Sequence, residues 1–326
     1  MTRFKRTPPF LPAQNRSRFA TVLLMTFPMA LASFALAPFA IAEAPRILYL
    51  YGDVAADGTV PSGDQAPFHQ MRLNDTGNRG MSQFKESITQ LGFEITESYD
   101  AETPLTDEAL APLRVLILGS NQRRFSEEEA EAVRRFVENG GGLVAWSDSA
   151  FGGHWRQVGV DNEAGRLSNN DLTVGLGMYF MTDNGAGNYL IKRQEFDHFL
   201  NAYNRNGGVE FRGEGVSPVR VRPPARLLAK LQDGGLGGRL RLNAVDGELD
   251  LERDAALAIA EVRKGRVIGI FDRNLFWNAG EGTRLSHADN REFTQRVMIW
   301  AAGLENDPEM TSRIGPMDAG DDPPKP

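Results

Sequence analysis

The chain has 326 residues, 24% of them charged, a formal net charge of −7 and no cysteine. That acidic balance excludes the clustered Lys and Arg surface that nucleic acid demands. The missing cysteine excludes a disulfide framework, a thiol nucleophile and a lipid-modified cysteine anchor.

Residues 1–42 read as a signal peptide. A basic stretch holds Arg3, Lys5, Arg6, Arg16 and Arg18 with no acidic residue, an apolar run follows from Phe19 to Ala42, and Ala40-Ile41-Ala42 offers a small-x-small cleavage site. The expectation is export to the periplasm or the extracellular space, with the membrane touched only through the leader if it stays uncleaved. Without these residues, 31 basic side chains face 43 acidic ones, a balance of −12.

Arg46–Tyr51 is a short continuous apolar run before Gly52-Asp53, the pattern of a buried parallel strand. The polar stretch from Val54 to Gly80 is long for a strand-to-helix connection and reads as a functional loop. Met81, Phe84, Ile88 and Leu91 then fall at helical spacing, closed by Gly92. Phe93–Glu97 and Arg114–Leu118 predict the second and third strands. Ser126-Glu-Glu-Glu129 is a capping-box start for a helix whose apolar face is Ala130, Val133, Phe136 and Val137. Leu143–Trp146 is the fourth strand, led by three glycines and ending in the polar turn Ser147-Asp148-Ser149.

The alternation lapses from about 151 to 224, a Gly- and Asn-rich segment predicted to be an irregular insertion over the sheet's edge. Arg239–Leu242 is a further strand, and Ala256–Val262 with Val267–Phe271 form a hairpin about Arg263–Arg266. A last helix is predicted from an N-cap at Ser286, carrying Phe293, Val297 and Trp300 and ending at Gly303. The acidic, proline-bearing tail 304–326 reads as disordered. The expected fold is therefore an α/β domain over 43–303: a three-layer flavodoxin-like sheet, mostly parallel, with an antiparallel C-terminal hairpin and an insertion.

Two segments resemble the class I glutamine amidotransferase-like superfamily, especially its trehalose-utilisation-type branch and related exported domains. They are Gly140-Gly-Gly-Leu-Val-Ala-Trp-Ser147, and Lys264-Gly-Arg-Val-Ile-Gly-Ile-Phe-Asp272 with Asp289-Asn-Arg-Glu-Phe293 and Ile299-Trp-Ala-Ala-Gly303. The resemblance implies a nucleophile turn after the fourth strand and a His-Pro-Glu partner after a late one. Here Ser147 or Asp148 stands near the cysteine position and Asp272-Arg273-Asn274 near the partner position. Glutamine hydrolysis by the thiol mechanism is thus rejected.

In a parallel sheet, Asp53, Asn121, Ser147-Asp148 and Asp272-Arg273-Asn274 share one strand-end edge, where open α/β sheets bind ligands; each is equally a residue type that terminates strands by local hydrogen bonding. Asp53, Asp148 and Asp272 are weak candidates for a divalent cation, without a spaced ligand motif. Ser147 or Ser149 with His154 makes a candidate nucleophile and base. His69 in the long loop, Arg79 before the first helix, and Trp277 in Asn274-Leu-Phe-Trp277 as an aromatic platform complete the candidate binding set. No cofactor is expected: the chain has neither a phosphate-loop Lys-Ser pair nor a G-x-G-x-x-G fingerprint. The leading expectation is a non-catalytic domain binding a small polar molecule such as a carbohydrate. The alternatives are a hydrolase, using those serines or a metal-activated water, and a scaffolding module whose protein partner is unspecified.

Overall fold

In the computed structural model, the residues described are 43–52, 72–121, 123–147, 162–181, 185–190, 192–193, 195, 197–202, 212–231, 239–240, 243–244, 247–279, 283–287 and 289–315. The leader and the end of the tail, like the side chains of Asp53, His69, Asp148, Ser149 and His154, lie outside them.

The first half alternates as its apolar periods predict: β1 (Arg46–Tyr51), α1 (Ser82–Gln90), β2 (Glu94–Tyr99), α2 (Asp107–Leu110), β3 (Val115–Ser120), α3 (Glu127–Glu138) and β4 (Gly142–Trp146). The Ser126 hydroxyl accepts from Glu129 N, and the Glu129 side chain accepts from Ser126 N, so the capping box forms as its spacing requires. The segment expected to be irregular is ordered in large part. It supplies α4 (Asn162–Thr173), β5 (Met178–Phe180), β6 (Gly185–Leu190), β7 (Lys192–Arg193), β8 (Arg212–Val216) and β9 (Val219–Val221). Then come β10 (Arg226–Lys230), β11 (Arg239–Leu240), β12 (Asn243–Ala244), β13 (Gly247–Glu248), β14 (Asp254–Val262), β15 (Gly265–Ile270), α5 (Asn290–Ala301) and α6 (Pro308–Ser312).

The main sheet runs β2-β1-β3-β4-β15-β14-β10-β7, with β9 on β14 and β5 on β9. The first five strands are mutually parallel, and β14, β10 and β7 continue the sheet antiparallel. The expected hairpin is thus present as β14–β15, turning at Arg263 with φ 54°. β6, β8 and β11 form a second small sheet, and β12 and β13 a two-stranded ladder.

Strand alternation sends side chains to two faces. Ile47, Tyr49, Ile117, Val144, Trp146, Ile268 and Ile270 share a buried cluster with Phe84 and Ile88 of α1 and Phe293, Val297 and Trp300 of α5. Leu50, Leu116, Leu118, Leu143, Ala145 and Val267 share another with Leu110 of α2, Val133 and Val137 of α3 and Leu172 of α4. Helices therefore cover both faces of a mostly parallel sheet, an α/β fold.

Three expectations need correction. Among its described residues the insertion is not irregular: β9 pairs with β14 and β7 with β10, extending the main sheet. The last helix starts at Asn290, with Asp289 rather than Ser286 at its N-cap. Asn290 Oδ1 accepts from Arg212 N at 2.7 Å and its Nδ2 donates to Arg212 O and Arg284 O at 3.0 and 2.8 Å, which ties 283–287 down as turns against β8. Residues 304–315 of the tail are not disordered. Asp307 caps α6, Met310 is buried, and Arg313 Nη1 donates to Leu91 O at 2.8 Å, so 304–315 pack back on the domain.

His198 illustrates how the second half is pinned. Its Nδ1 accepts from Leu200 N at 3.2 Å, capping a short 3-10 turn, and its ring lies 5.4 Å from that of Trp300. Burial lowers its pKa, and Arg226 adds to that against Glu195 and Glu261, with Arg266 lowering it further. A base whose folded pKa is depressed favours the folded state above its unfolded value, about 6.5, and loses stability as pH falls below it. Between pH 8 and 5, the unfolding free energy of the wild type is therefore expected to fall more than that of His198→Asn, which still caps without titrating. The excess slope cannot exceed one proton, about 1.4 kcal/mol per pH unit. Parallel pH profiles from urea melts would show a purely structural role for His198.

Candidate functional site

Because β1, β3, β4 and β15 are parallel and in register, with Tyr51 opposite Ser120, Leu118 opposite Ala145 and Ile270 opposite Trp146, the residues that follow them meet at one edge. Asn121, Ser147, Asp272, Arg273 and Asn274 stand there, and all are buried. Ser147 N extends the ladder to Ile270 O at 3.3 Å. Asp272 Oδ1 accepts from Asn274 N at 2.8 Å, the local turn that Asp favours. That turn launches a 3-10 helix over Asn274–Phe276, burying Leu275 and Phe276.

The floor of the edge is aromatic. Trp146 lies 4.2 Å from Phe276 and 6.1 Å from Tyr49, with Phe84 edge-on to Trp146 and Phe276. Burial, then the Glu97 charge, pushes the Tyr49 phenol well above its ordinary range, although Arg273 and Arg72 pull the other way. Tyr49 is therefore a neutral donor at neutral pH, directed at Met81 Sδ 3.4 Å away. Trp277 is only 7% exposed, so Asn274–Trp277 is core packing rather than an open platform. The Asp272 turn folds these aromatics inward, against α1.

Among the strand-end residues, Asn274 Oδ1 is buried without a hydrogen-bond partner, as are Trp146 Nε1 and Trp277 Nε1. Orphaned buried polar atoms are rare and costly. Arg79 lies in the turn before α1 with its guanidinium 5.5 Å from the centre of the Trp277 ring. Asn278 fastens that turn: its Nδ2 reaches Asp75 O, Gly77 O and Ser82 Oγ at 3.0, 2.9 and 3.1 Å, and its Oδ1 accepts from Gln83 N at 2.9 Å.

Several residues at the edge escaped the sequence reading. Asp100, 1% exposed, follows β2 as Asn121 follows β3, and Asn121 Nδ2 reaches its Oδ2 at 3.4 Å. The strand-end rule that selected Asn121 would have found it. Arg123 Nε donates to Asp100 O at 2.7 Å, while its Nη atoms hold Glu129. Burial alone would raise the Glu129 carboxyl, but Arg123 and the Ser126 and Leu105 amides hold it at about 2. Asn169 of α4 donates through Nδ2 to Trp146 O at 2.9 Å, and Asp171 accepts from Phe125 N at 3.0 Å, so α4 grips the ends of two crossovers. On β8, a Cβ at Gly213 would lie 2.1 Å from the Phe271 ring and 2.9 Å from Asp272 Oδ2, so the insertion's backbone passes directly against the edge.

Of the candidates, the structure brings together Asn121, Ser147, Asp272, Arg273 and Asn274 and places Arg79 with Trp277. Asp53, His69, Asp148, Ser149 and His154 are outside the described residues. Among the described residues, no three His, Asp or Glu side chains gather as metal ligands. Among the described residues, a groove of about 520 Å³ opens at the opposite, N-terminal edge of the strands, beside Arg114 and Gly140.

The fold and this strand-end edge define an α/β domain of the kind that carries its sites outside the carboxyl ends of parallel strands. Residues 74–298 match the family described as Domain of unknown function (DUF4350), and the chain belongs to that family. No curated protein matches. Among solved structures, the mmIFT52 N-terminal domain is 13% identical over 78% of this chain and 96% of that chain, with a TM-score of 0.54, a likeness of fold. A thua-like protein from Bacteroides uniformis is 14% identical over 81% of this chain and 95% of its own, at 0.45. A cytoplasmic protein from Salmonella typhimurium LT2 is 14% identical over 80% and 98%, also at 0.45.

Proposed function

We propose that this chain is an exported, flavodoxin-like binding domain that holds a small, uncharged, hydroxyl-bearing molecule, a carbohydrate being the best chemical fit, at the strand-end edge. The 2-1-3-4-5 order of the five parallel strands supports the flavodoxin-like reading, since that frame binds ligands outside its strand ends. The observation that carries the ligand class is Asn274 Oδ1, a buried acceptor with no donor, beside a crest where Asp272 already serves its own turn. A ligand hydroxyl would satisfy it; a carboxylate, which only accepts, would not. An acidic chain with no cysteine supports neither nucleic-acid binding nor thiol chemistry.

The test is calorimetry and thermal shift against neutral mono- and disaccharides and size-matched carboxylates. A neutral sugar is expected to stabilise the wild type, and Asn274→Ala to weaken its binding about tenfold or more, the worth of one hydrogen bond in a desolvated site. Because that oxygen has no partner in the free protein, the same substitution should alter unbound stability by only about 1 kcal/mol. Silence across the panel, or stabilisation by carboxylates alone, would sink the proposal.

A further inference from the structure

A second site emerges away from the strand-end edge, in a recess of about 240 Å³ lined by Tyr179, Arg220, Arg222 and Arg253 with Gly177 and Val174 at its base. We propose that this recess binds a phosphate group. Three arginines from two chain segments line it in a protein whose overall balance is acidic.

The local charge does not cancel. Asp254 pairs with Arg220, accepting at Oδ1 from Nε and at Oδ2 from Nη2, both at 2.7 Å, and its Oδ2 also accepts from Asp250 N at 2.6 Å. Of the other acids nearby, Glu252 pairs with Lys230, while Asp250, whose Oδ1 accepts from Glu252 N, keeps its charge, one negative against the two positive of Arg222 and Arg253. Among the described residues, Arg222 and Arg253 have no carboxylate within ion-pair distance, and both are exposed. Arg222 spends one donor, Nη2, on Val174 O at 2.9 Å, which aims the guanidinium and leaves the rest of its fork.

The backbone beneath is fixed. Arg222 N donates to Gly177 O, and Val221 N to Arg253 O, both at 2.9 Å, so the segments carrying the cations are bonded directly to one another or to the base of the recess. Tyr179 completes the set. Its hydroxyl accepts from Arg166 Nη1 at 3.1 Å, which turns its own hydrogen outward as a donor. Arg166 is 5% exposed, so that phenol is held from the buried side. Forked donors, a hydroxyl donor and net positive charge suit a tetrahedral oxyanion. The recess is smaller than the roughly 300–1,000 Å³ pockets that enclose drug-sized ligands, so it suits one phosphate group, free or borne on a headgroup.

The test uses the full chain, titrated with inorganic phosphate at constant ionic strength against chloride, followed by ³¹P line width and calorimetry. A parallel arm measures sedimentation with phosphatidylglycerol and with phosphatidylcholine vesicles. Saturable phosphate binding that weakens about tenfold or more in Arg222→Gln/Arg253→Gln supports the site, that loss being worth one charge-assisted hydrogen bond. Arg222→Lys, which keeps the charge but not the fork, should fall between them, and Arg46→Gln, at a remote half-buried arginine on β1, should match the wild type. Circular dichroism and the urea midpoint confirm that the variants fold. Binding seen only with phosphatidylglycerol vesicles, and lost in the double variant, also supports the site and assigns the group to a lipid headgroup. No saturable binding in either arm, or binding unchanged in the double variant or lost equally in Arg46→Gln, overturns it.

Discussion

Gly265→Ala is expected to cost about 3–4 kcal/mol of unfolding free energy, near the top of the range for overpacking a closed site. A Cβ there would lie 1.8 Å from Val137 O and 2.5 Å from Gly141 O. Both are main-chain oxygens, so no side-chain rotation relieves the clash; the end of α3 must move away from β15. Gly175→Ala is the matched control, since a Cβ there meets nothing within 4 Å. Its urea midpoint should stay within about 0.5 kcal/mol of the wild type. Equal midpoints for the two variants would mean that α3 does not close on the β14–β15 turn as described.

Asn278→Ala is expected to cost about 2–3 kcal/mol and to loosen the turn before α1. One side chain, 5% exposed, serves Asp75 O, Gly77 O, Ser82 Oγ and Gln83 N. Removing it leaves part-buried main-chain groups with fewer partners, at roughly 1–3 kcal/mol for such a loss. Hydrogen exchange should show faster exchange over 75–83 with β3 and β4 unchanged. Uniform acceleration across the sheet, or none at all, would contradict a local clamp. Arg79 stacks over Trp277 from this same turn, so a strand-end ligand that contacts Arg79 would bind Asn278→Ala more weakly.

The parallel frame could be read from the sequence because each element announces itself locally. Arg46–Tyr51 and Leu143–Trp146 are apolar runs, Ser126 and Glu129 sit three apart, and Arg263–Arg266 separates the apolar runs Ala256–Val262 and Val267–Phe271. Strand direction then placed Asn121, Ser147 and Asp272 at one edge without any distance being known. What escaped the reading was held by contacts with no local period. Asn278 and Asn290 bond to backbone 195 and 78 residues away, at Gln83 and Arg212. In sequence, each is one polar residue among many. The helix at Asn162–Thr173 carries few apolar side chains and anchors through Asn169, Asn170 and Asp171 instead, so periodicity could not reveal it. The aromatic platform failed for the opposite reason: apolarity at Leu275–Trp277 was visible, but the direction of the turn set by Asp272 was not.

The place of β15 in the sheet has a kinetic consequence. It lies between β4 and β14, and its parallel neighbour β4 is separated from it in the chain by the whole insertion. Until residues 265–270 arrive, β4 has an unfilled hydrogen-bonding edge carrying Leu143, Val144 and Trp146. Loop-closure entropy over that span makes the late insertion of β15 the slow step, and the open β4 edge the point at which a refolding chain would stick to its neighbours. Refolding yield should therefore fall with protein concentration far more steeply than equilibrium stability would suggest.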